Sequence, residues 1–346
     1  MHLKKVINTV LYIVLVTLMY FVVNHIQHLN VERTVQVVKE HKYERFLLQP
    51  GPCNKGWFKV GGMDECRKML GCEDIMKLGH KKKLGGGIGK LVYSVDWEGI
   101  ELAMVSTRDT RVKDQWILTR VDEGATNLLN LQPSQHVIQV AGFCKLGNQT
   151  HILTEKCDKY GNLNDFIKSD AIVKLSGKER LKLAIGMVQT FVYLHHGGGK
   201  ARVNCDLHQL SQALSQYLVT NDMRIVMNDV DELPVDDVNN HPVCRSETGC
   251  VMVEHTFLSP EQRYNEADCK QDKLPKVSIK IDVWKIPNLT NAIMNVGSPN
   301  STELKKIQRI NRLLKQVHKM CKKIDPANRW NSQQVLEDYV RVYNYL

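Results

Sequence analysis

The amino-acid sequence predicts an α+β protein with two lobes, in which a small strand-rich lobe precedes a larger helical lobe. Residues 84–107 alternate apolar and polar side chains between glycines, which is typical of two strands joined by a turn. Apolar side chains recur at spacings of three and four in residues 178–195, 302–322 and 332–345, which indicates amphipathic helices. A chain of 346 residues is long enough to give both lobes a core.

The segments between these regions complete the two lobes. Residues 110–131 have helix-like spacing, and "HVIQVAGFC" and "THILTEKC" indicate two further strands. The helix over 178–195 is expected to end at the glycines 197–199, since glycine commonly terminates helices. The front of the chain therefore predicts a small sheet with one helix, and the back predicts a helical lobe.

An apolar segment near the N-terminus predicts a membrane anchor. Residues 6–23 carry no charge and approach the roughly 20 residues that a helix needs to cross a bilayer. The residues after this segment offer no small-residue cleavage site, so we favour an uncleaved anchor over a signal peptide. Lys4 and Lys5 favour a cytoplasmic N-terminus. We therefore expect a cytoplasmic tail (1–5), a transmembrane signal anchor (6–23), a lumenal stem (24–50) and a lumenal folded domain (51–346).

The cysteines and sequons agree with a lumenal domain. Ten cysteines suit disulfides in an oxidising compartment, and glycosylation sequons begin at Asn148, Asn288 and Asn300. We expect a single-pass type II protein of the endoplasmic reticulum membrane, with the Golgi as the alternative. The net charge of +10 does not indicate nucleic-acid binding, because the basic residues form no stripe interleaved with aromatic side chains.

A glycine-rich turn, residues 84–92, is typical of a nucleotide-binding loop. Gly85 and Gly87 allow the backbone to approach phosphate oxygens, because no Cβ stands in the way. Such loops are usually followed by a lysine on the next strand, but Val105 occupies that position. Lys90 lies one strand away and, by strand alternation, is expected to point into the same cleft and hold the α- and β-phosphates. The alternative is that Lys90 is an exposed loop residue.

Two aspartates further along the chain, Asp206 and Asp229, stand in an order that resembles the catalytic and metal-binding segments of protein kinases. Each aspartate taken singly is more typical of a turn or a helix cap. Asp206 follows a helix, and its carboxylate could accept the proton of an acceptor hydroxyl. Asp229 follows two short strands, and its carboxylate could hold Mg²⁺ or Mn²⁺ on the phosphates of ATP. Gln216, just before the strand "YLV", offers an amide oxygen as a second metal ligand.

Two glutamates complete the set of candidate residues. Glu123, in "RVDEGATNLL", is the predicted helix partner of Lys90, with Asp122 as its rival and a solvated helix face as the alternative interpretation. Glu155, at the end of the predicted strand "THILTEKC", is a further candidate for nucleotide binding.

Five landmarks in this order resemble those of protein kinases. Asn204-Cys205-Asp206 stands where His-Arg-Asp is usual, and Asp229-Val230-Asp231 stands where Asp-Phe-Gly is usual. The others are Ser259-Pro260-Glu261, Ile281-Asp282-Val283-Trp284 and Asp325-Pro326-Ala327-Asn328-Arg329. The resemblance implies a bilobal protein-kinase-like fold in which Glu261 pairs with Arg329 and Asp282 braces the catalytic loop. A lysine moved to the glycine loop is similar to that of the with-no-lysine kinases.

From Cys53 onward the chain resembles the protein O-mannose kinase family, once classed among pseudokinases. The resemblance rests on "CNKGWFKVGGMDECRKMLGCEDI", "YLHH", "LSQYLVTN", "NDVDELP" and "KIDVWKIPN". It implies ATP-dependent phosphorylation of the mannose 6-hydroxyl within an extended O-linked trisaccharide on dystroglycan-like glycoproteins. The alternatives are an inert pseudokinase that binds glycans or acts as a scaffold, and a lumenal kinase with another acceptor. Retention of Asp206, Asp229 and Lys90 favours an enzyme.

Overall fold

The structure is a computed structural model. It describes residues 53–87, 89–107, 115–237, 240–244, 256–263, 275–297 and 300–346, which belong to one compact unit. The expected tail, anchor and stem, residues 1–50, lie outside these residues, as do Cys250 and Cys269. Within the described ranges, no helix is both long and apolar enough to cross a membrane.

The N-terminal lobe is built on a five-stranded antiparallel sheet. Two short paired strands and a short helix come before it: β1 (Trp57–Phe58), β2 (Arg67–Lys68) and α1 (Cys72–Ile75). The sheet contains β3 (His80–Gly86), β4 (Lys90–Trp97), β5 (Ile100–Thr107), β6 (Val140–Leu146) and β7 (Gln149–Glu155), in the spatial order β3-β4-β5-β7-β6. Val92 on β4 pairs with Val105 on β5, and both residues line a cleft. Strands β4 and β5 therefore form one wall of that cleft.

One helix, α2 (Gln115–Asn130), connects β5 to β6 in chain order and lies within the predicted span 110–131. Its buried side chains recur every three or four residues, at Ile117, Val121, Ala125 and Leu128. This stripe fixes which face of α2 is turned toward the protein interior. The residues that share the face are therefore the ones that the helix brings to the cleft.

Disulfides attach the N-terminal segment to this lobe. Cys53 pairs with Cys66 around the first hairpin, and Cys72 on α1 pairs with Cys144 on β6. Each such crosslink typically contributes about 2 to 4 kcal/mol of stability by restricting the unfolded chain. Disulfides persist in oxidising compartments, so these two crosslinks agree with the expectation that cysteines of this domain form disulfides.

The C-terminal lobe is mostly helical. It contains α3 (Leu163–Phe166), α4 (Asp170–Val173), α5 (Gly177–Val192) with a π-helical turn (Tyr193–Gly197), α6 (Leu210–Ser215), the hairpin β8 (Tyr217–Val219) and β9 (Ile225–Met227), a 3₁₀ turn (Pro260–Gln262), α7 (Lys280–Met294), α8 (Ser301–Cys321), a second 3₁₀ turn (Pro326–Asn328) and α9 (Ser332–Tyr345). Helix α5 begins at a capping box in which Ser176 and Glu179 satisfy each other's backbone N–H groups. Most of its residues are buried, as expected of the central helix of a lobe.

Two predicted bracing contacts are confirmed. The guanidinium of Arg329 donates to both carboxylate oxygens of Glu261, at 2.6 and 3.1 Å. The carboxylate of Asp282 accepts the backbone N–H of Asn204 at 3.0 Å and lies 3.2 Å from Nε2 of His195. All these groups are largely buried, so each charge is held by directed partners rather than by water. The two-lobe α+β architecture predicted from the sequence, with a protein-kinase-like arrangement, is confirmed.

The three sequons differ in their accessibility. Asn148 is exposed in the turn between β6 and β7, and Asn300 is exposed at the start of α8. Asn288, in contrast, lies inside α7, and the sequon's Thr290 is buried with its hydroxyl bonded to that of Tyr339. The folded domain therefore offers Asn148 and Asn300, and not Asn288, to a glycosylating enzyme.

Candidate active site

A cavity of about 750 Å³ lies between the two lobes, a size that suits a nucleotide. The glycine loop lines one side of it. A Cβ on Gly85 or Gly87 would meet no atom within 4 Å, so both backbones border open space. A Cβ on Gly86 would lie 2.8 Å from the carbonyl oxygen of Lys90, and one on Gly89 would lie 2.4 Å from Cγ2 of Ile117. Packing therefore requires glycine at these two positions. The two predicted glycines are thus the ones with room for phosphate oxygens beside them.

Lys90, the first residue of β4, extends into the cavity, as predicted. Its Nζ donates to Oδ1 of Asp229 at 3.2 Å and also contacts Oδ1 of Asp231. Burial lowers the pKa of Lys90, but the two carboxylates more than offset this and leave that pKa above its usual value. Lys90 is therefore a charged ammonium in the cleft, and the interpretation as an exposed loop residue is wrong.

The predicted helix partner of Lys90 has to be corrected. Glu123 is exposed and does not line the cavity, because it lies on the outer face of α2. The neighbouring Gly124 faces the cleft instead, and a Cβ there would lie 1.9 Å from Oδ1 of Asp231. The carboxylate of Asp231 thus occupies the space that a side chain on α2 would fill, and it supplies the partner that Glu123 does not.

The rival candidate on the same helix is also directed elsewhere. Asp122 accepts from Nζ of Lys145 at 2.6 Å and from Oγ1 of Thr150 at 2.5 Å, both on the β6–β7 hairpin. It attaches α2 to the sheet and does not pair with Lys90.

Asp229 and Gln216 present oxygens suited to a hard divalent cation. Burial opposes the ionisation of Asp229, but the ammonium of Lys90 and hydrogen bonds outweigh it, so the pKa of Asp229 lies below its usual value. Oε1 of Gln216 is buried and has no hydrogen-bond partner within the described part of the chain. Asp229 lines the cavity, whereas Gln216 is buried and is not part of the lining, although the backbone N–H of Asp229 donates to the backbone carbonyl of Gln216 at 3.3 Å. A carboxylate and an amide oxygen are donor types that fit Mg²⁺ or Mn²⁺, and these two residues would hold the ion.

Asp206 lies at the cavity wall and is held by two amides. Nε2 of Gln212 donates to Oδ1 at 3.0 Å, and Nε2 of Gln216 donates to Oδ2 at 2.5 Å. Both bonds hold the carboxylate in one orientation, and Asp206 is only 7% exposed. The adjacent Cys205 is disulfide-bonded to Cys244, which ties the catalytic loop to a segment further along the chain.

Comparison with known proteins identifies the family. No protein-family model matches the chain. It is 30% identical over 308 residues to the protein O-mannose kinase of Macaca fascicularis, covering 87% of this chain and 83% of the relative. For the protein O-mannose kinase of Homo sapiens the values are 29% over 304 residues, 86% and 83%, and for that of Gallus gallus 32% over 306 residues, 86% and 82%. The chain belongs to the protein O-mannose kinase family. It is accordingly a phosphotransferase, and kinase chemistry implies ATP with a divalent metal.

Arg120 is a site residue of this O-mannose kinase family member that the sequence analysis missed. It lies on the inner face of α2, between Ile117 and Gly124. Its guanidinium is 3.7 Å from Oδ1 of Asp206 and 3.2 Å from Oε1 of Glu232. Its position along the helix could have revealed it, because Ile117, three residues earlier, and Gly124, four residues later, lie on the same buried face. Arg120 links the N-terminal lobe directly to the predicted catalytic carboxylate.

Glu155, the last residue of β7, lies in the cavity wall as predicted, but its carboxylate is occupied. Oε1 accepts the backbone N–H of Gln139 at 3.0 Å, and Oε2 is 3.7 Å from the guanidinium of Arg224. Burial raises the pKa of Glu155 despite these partners. Its side chain therefore stabilises the connection between the lobes, and its backbone N–H is also occupied, since it donates to the carbonyl of Gln139 at 2.9 Å.

Proposed function

We propose that this protein transfers the γ-phosphoryl group of ATP to the 6-hydroxyl of O-linked mannose, within an extended trisaccharide on dystroglycan-like glycoproteins. One observation supports the proposal most directly: Lys90, Asp229 and Asp206, the residue types that phosphoryl transfer uses, line a single cavity. O-linked mannose as acceptor is taken from the relatives, which are named protein O-mannose kinase and align over most of their length. The 6-hydroxyl, the trisaccharide and the dystroglycan-like carrier are what the family resemblance implies.

The residues divide the reaction between them. The Lys90 ammonium would bind phosphate oxygens and offset their charge, and Asp231 holds that ammonium in place. A divalent cation, when bound by Asp229 and Gln216, supplies further charge neutralisation at the phosphates. Asp206 would orient the sugar hydroxyl and accept its proton as the oxygen–phosphorus bond forms and the bond to the ADP oxygen breaks.

The amides of Gln212 and Gln216 orient the Asp206 carboxylate for a sugar hydroxyl. A sugar hydroxyl is a nucleophile much like a serine hydroxyl, so the same carboxylate chemistry applies to either acceptor. Gln212 and Gln216 restrain the carboxylate in one orientation, which reduces the entropy lost when a hydroxyl is aligned with the γ-phosphorus. Selectivity among hydroxyls must come from contacts to the rest of the glycan.

We also infer the location of the enzyme. An anchor at residues 6–23, with a tail at 1–5 and a stem at 24–50, would make it a single-pass type II protein of the endoplasmic reticulum membrane, the Golgi being the alternative. The three disulfides among the described residues support an oxidising compartment for the domain at 51–346. O-mannosyl chains of secretory glycoproteins would then lie on the same side of the membrane as Asp206.

The proposal is tested by an acceptor panel. The detergent-solubilised full chain is incubated with MgATP and an O-mannosyl trisaccharide glycopeptide, its mannose-only counterpart or a serine peptide, and ³¹P NMR locates the phosphate. We expect phosphate on mannose C6 of the trisaccharide, with slower transfer to the trimmed glycan because remote contacts align the hydroxyl. Phosphorylation of the serine peptide without phosphorylation of any glycan would contradict the proposal, and so would equal rates on lone and extended mannose.

A further inference from the structure

An exposed tryptophan stands at the mouth of the cavity. Trp116, in the first turn of α2, lines the cavity wall and yet is 49% exposed. Single exposed apolar side chains are common on protein surfaces, but Trp116 also lines the ligand cavity, so its aromatic face is available to a bound ligand. Neither the transfer chemistry nor the packing of α2 uses it, since the buried stripe of the helix begins at Ile117.

The position of Trp116 is fixed relative to the reacting carboxylate. The guanidinium of Arg120, one turn later on α2, lies over the Trp116 ring with its Cζ 6.0 Å from the ring centre. The same guanidinium contacts Asp206 and Glu232, at 3.7 and 3.2 Å. One planar group thus lies next to both the indole and the predicted catalytic carboxylate, so Trp116 is on the Asp206 side of the cavity, where the acceptor would bind.

The chemistry of this surface suits a sugar ring. The face of an indole carries partial negative charge, and one face of a pyranose presents several C–H groups with partial positive charge. Such a ring can stack on the indole while its hydroxyls stay in water or bond to Glu232 and Arg120. A charged or peptide acceptor would gain less from this arrangement, because the stacking requires a flat array of C–H groups.

We propose that Trp116 is the platform for an outer sugar of the acceptor glycan, one residue or more beyond the mannose that is phosphorylated. This inference rests on the proposed function and deepens it, since it names a residue that makes an extended glycan the better acceptor. The Arg120 guanidinium lies 6.0 Å from the indole centre and 3.7 Å from Asp206, so a hydroxyl bonded to Asp206 and a ring on the indole would belong to different sugars. The mannose therefore occupies the space beside Asp206, and a sugar attached to it reaches Trp116.

The test compares two substrates and three variants of the full chain. Trp116→Ala should raise the KM for the O-mannosyl trisaccharide glycopeptide about three- to tenfold, as expected for loss of one aromatic stacking contact. Its KM for the mannose-only glycopeptide should stay at the wild-type value, and Trp116→Phe should retain part of the trisaccharide preference. Trp57→Ala is the matched control, because Trp57 is equally exposed at 46% but lies on β1, outside the cavity lining. It should behave as wild type toward both substrates.

A fluorescence titration separates this inference from the proposed function. With Mg²⁺ and a non-hydrolysable ATP analogue present, the trisaccharide glycopeptide should change the tryptophan emission of the wild type saturably, and Trp116→Phe should lack that change. If the wild type transfers no phosphate to mannose but shows this titration, the platform stands and the proposed function falls. The inference is overturned if Trp116→Ala keeps the full trisaccharide preference, if its KM rises equally for both substrates, or if Trp116→Phe titrates as wild type.

Discussion

The space left by Gly124 on α2 gives a sharp prediction for Gly124→Ala. The new methyl would lie 1.9 Å from Oδ1 and 2.9 Å from Cγ of Asp231, so that carboxylate must swing away from Lys90. A hydrogen bond to a charged group contributes about 1.5 to 3 kcal/mol, whereas alanine in a helix is favoured over glycine by about 1 kcal/mol. The net expectation is a loss of about 0.5 to 2 kcal/mol of stability. The helix-propensity gain does not act on ATP binding, so loss of the bond of about 1.5 to 3 kcal/mol should lower kcat/KM for ATP about 10- to 100-fold, since each 1.4 kcal/mol corresponds to a factor of ten.

Steady-state kinetics with MgATP and thermal unfolding measure the two effects in the same preparation. Gly186→Ala on α5 is the matched control, because the nearest atoms to its added Cβ lie 3.9 Å away. It should gain the helix-propensity term alone and unfold at a higher temperature, with unchanged kinetics. The reasoning is refuted if Gly124→Ala is stabilised as much as Gly186→Ala, or if it retains full kcat/KM for ATP.

Further predictions concern the lysine, a buried histidine and a disulfide. Lys90→Ala should lose on the order of 10²-fold or more in turnover while its circular dichroism stays native, and full activity in a folded variant would show that another cation holds the phosphates. Burial, followed by the charge of Arg224, lowers the pKa of His136 to about 4, below its unfolded value of about 6.5. The folded protein therefore favours neutral His136, and this contribution to the free energy of unfolding should be complete above pH 6.5 and fall by about 3 kcal/mol as pH drops toward 4. Urea unfolding measured against pH should show the fall, and a His136→Phe variant with the same pH profile would contradict it. Replacing Cys205 and Cys244 together by serine should cost about 4 kcal/mol in urea unfolding by the loop-entropy model and slow transfer, because the crosslink adjoins the catalytic loop; wild-type stability and rate would contradict this.

The order of elements was accessible to sequence reasoning because it depends on local patterns. Apolar spacing predicts helices over 178–195, 302–322 and 332–345, and α5, α8 and α9 lie there. Strand alternation likewise predicts that Lys90 points into the cleft, and the structure places it there. Each of these inferences needs only a few consecutive residues, so tertiary packing had little opportunity to override it.

The partners of Lys90 and Asp206 were not accessible in this way. Glu123 has the right residue type on the right helix, but the face that α2 turns to the cleft depends on how Gly124 packs against Asp231, far along the chain. Arg120 reaches Asp206 only once the two lobes have come together. Such long-range pairs leave no periodic trace in a single sequence, although a carboxylate at 231, where kinases usually have glycine, was an available signal.

Single-turnover phosphate transfer under saturating MgATP tests the central claim, that Asp206 and Asp229 form an active phosphotransfer site for O-linked mannose. With the O-mannosyl trisaccharide glycopeptide as acceptor, Asp206→Asn should transfer phosphate at least about 100-fold more slowly than wild type while binding MgATP normally. Asp229→Ala should instead lose magnesium-dependent ATP binding, because it removes a predicted metal ligand and leaves the acceptor side intact. Wild-type transfer rates in Asp206→Asn, or normal magnesium-dependent ATP binding in Asp229→Ala, would contradict the claim.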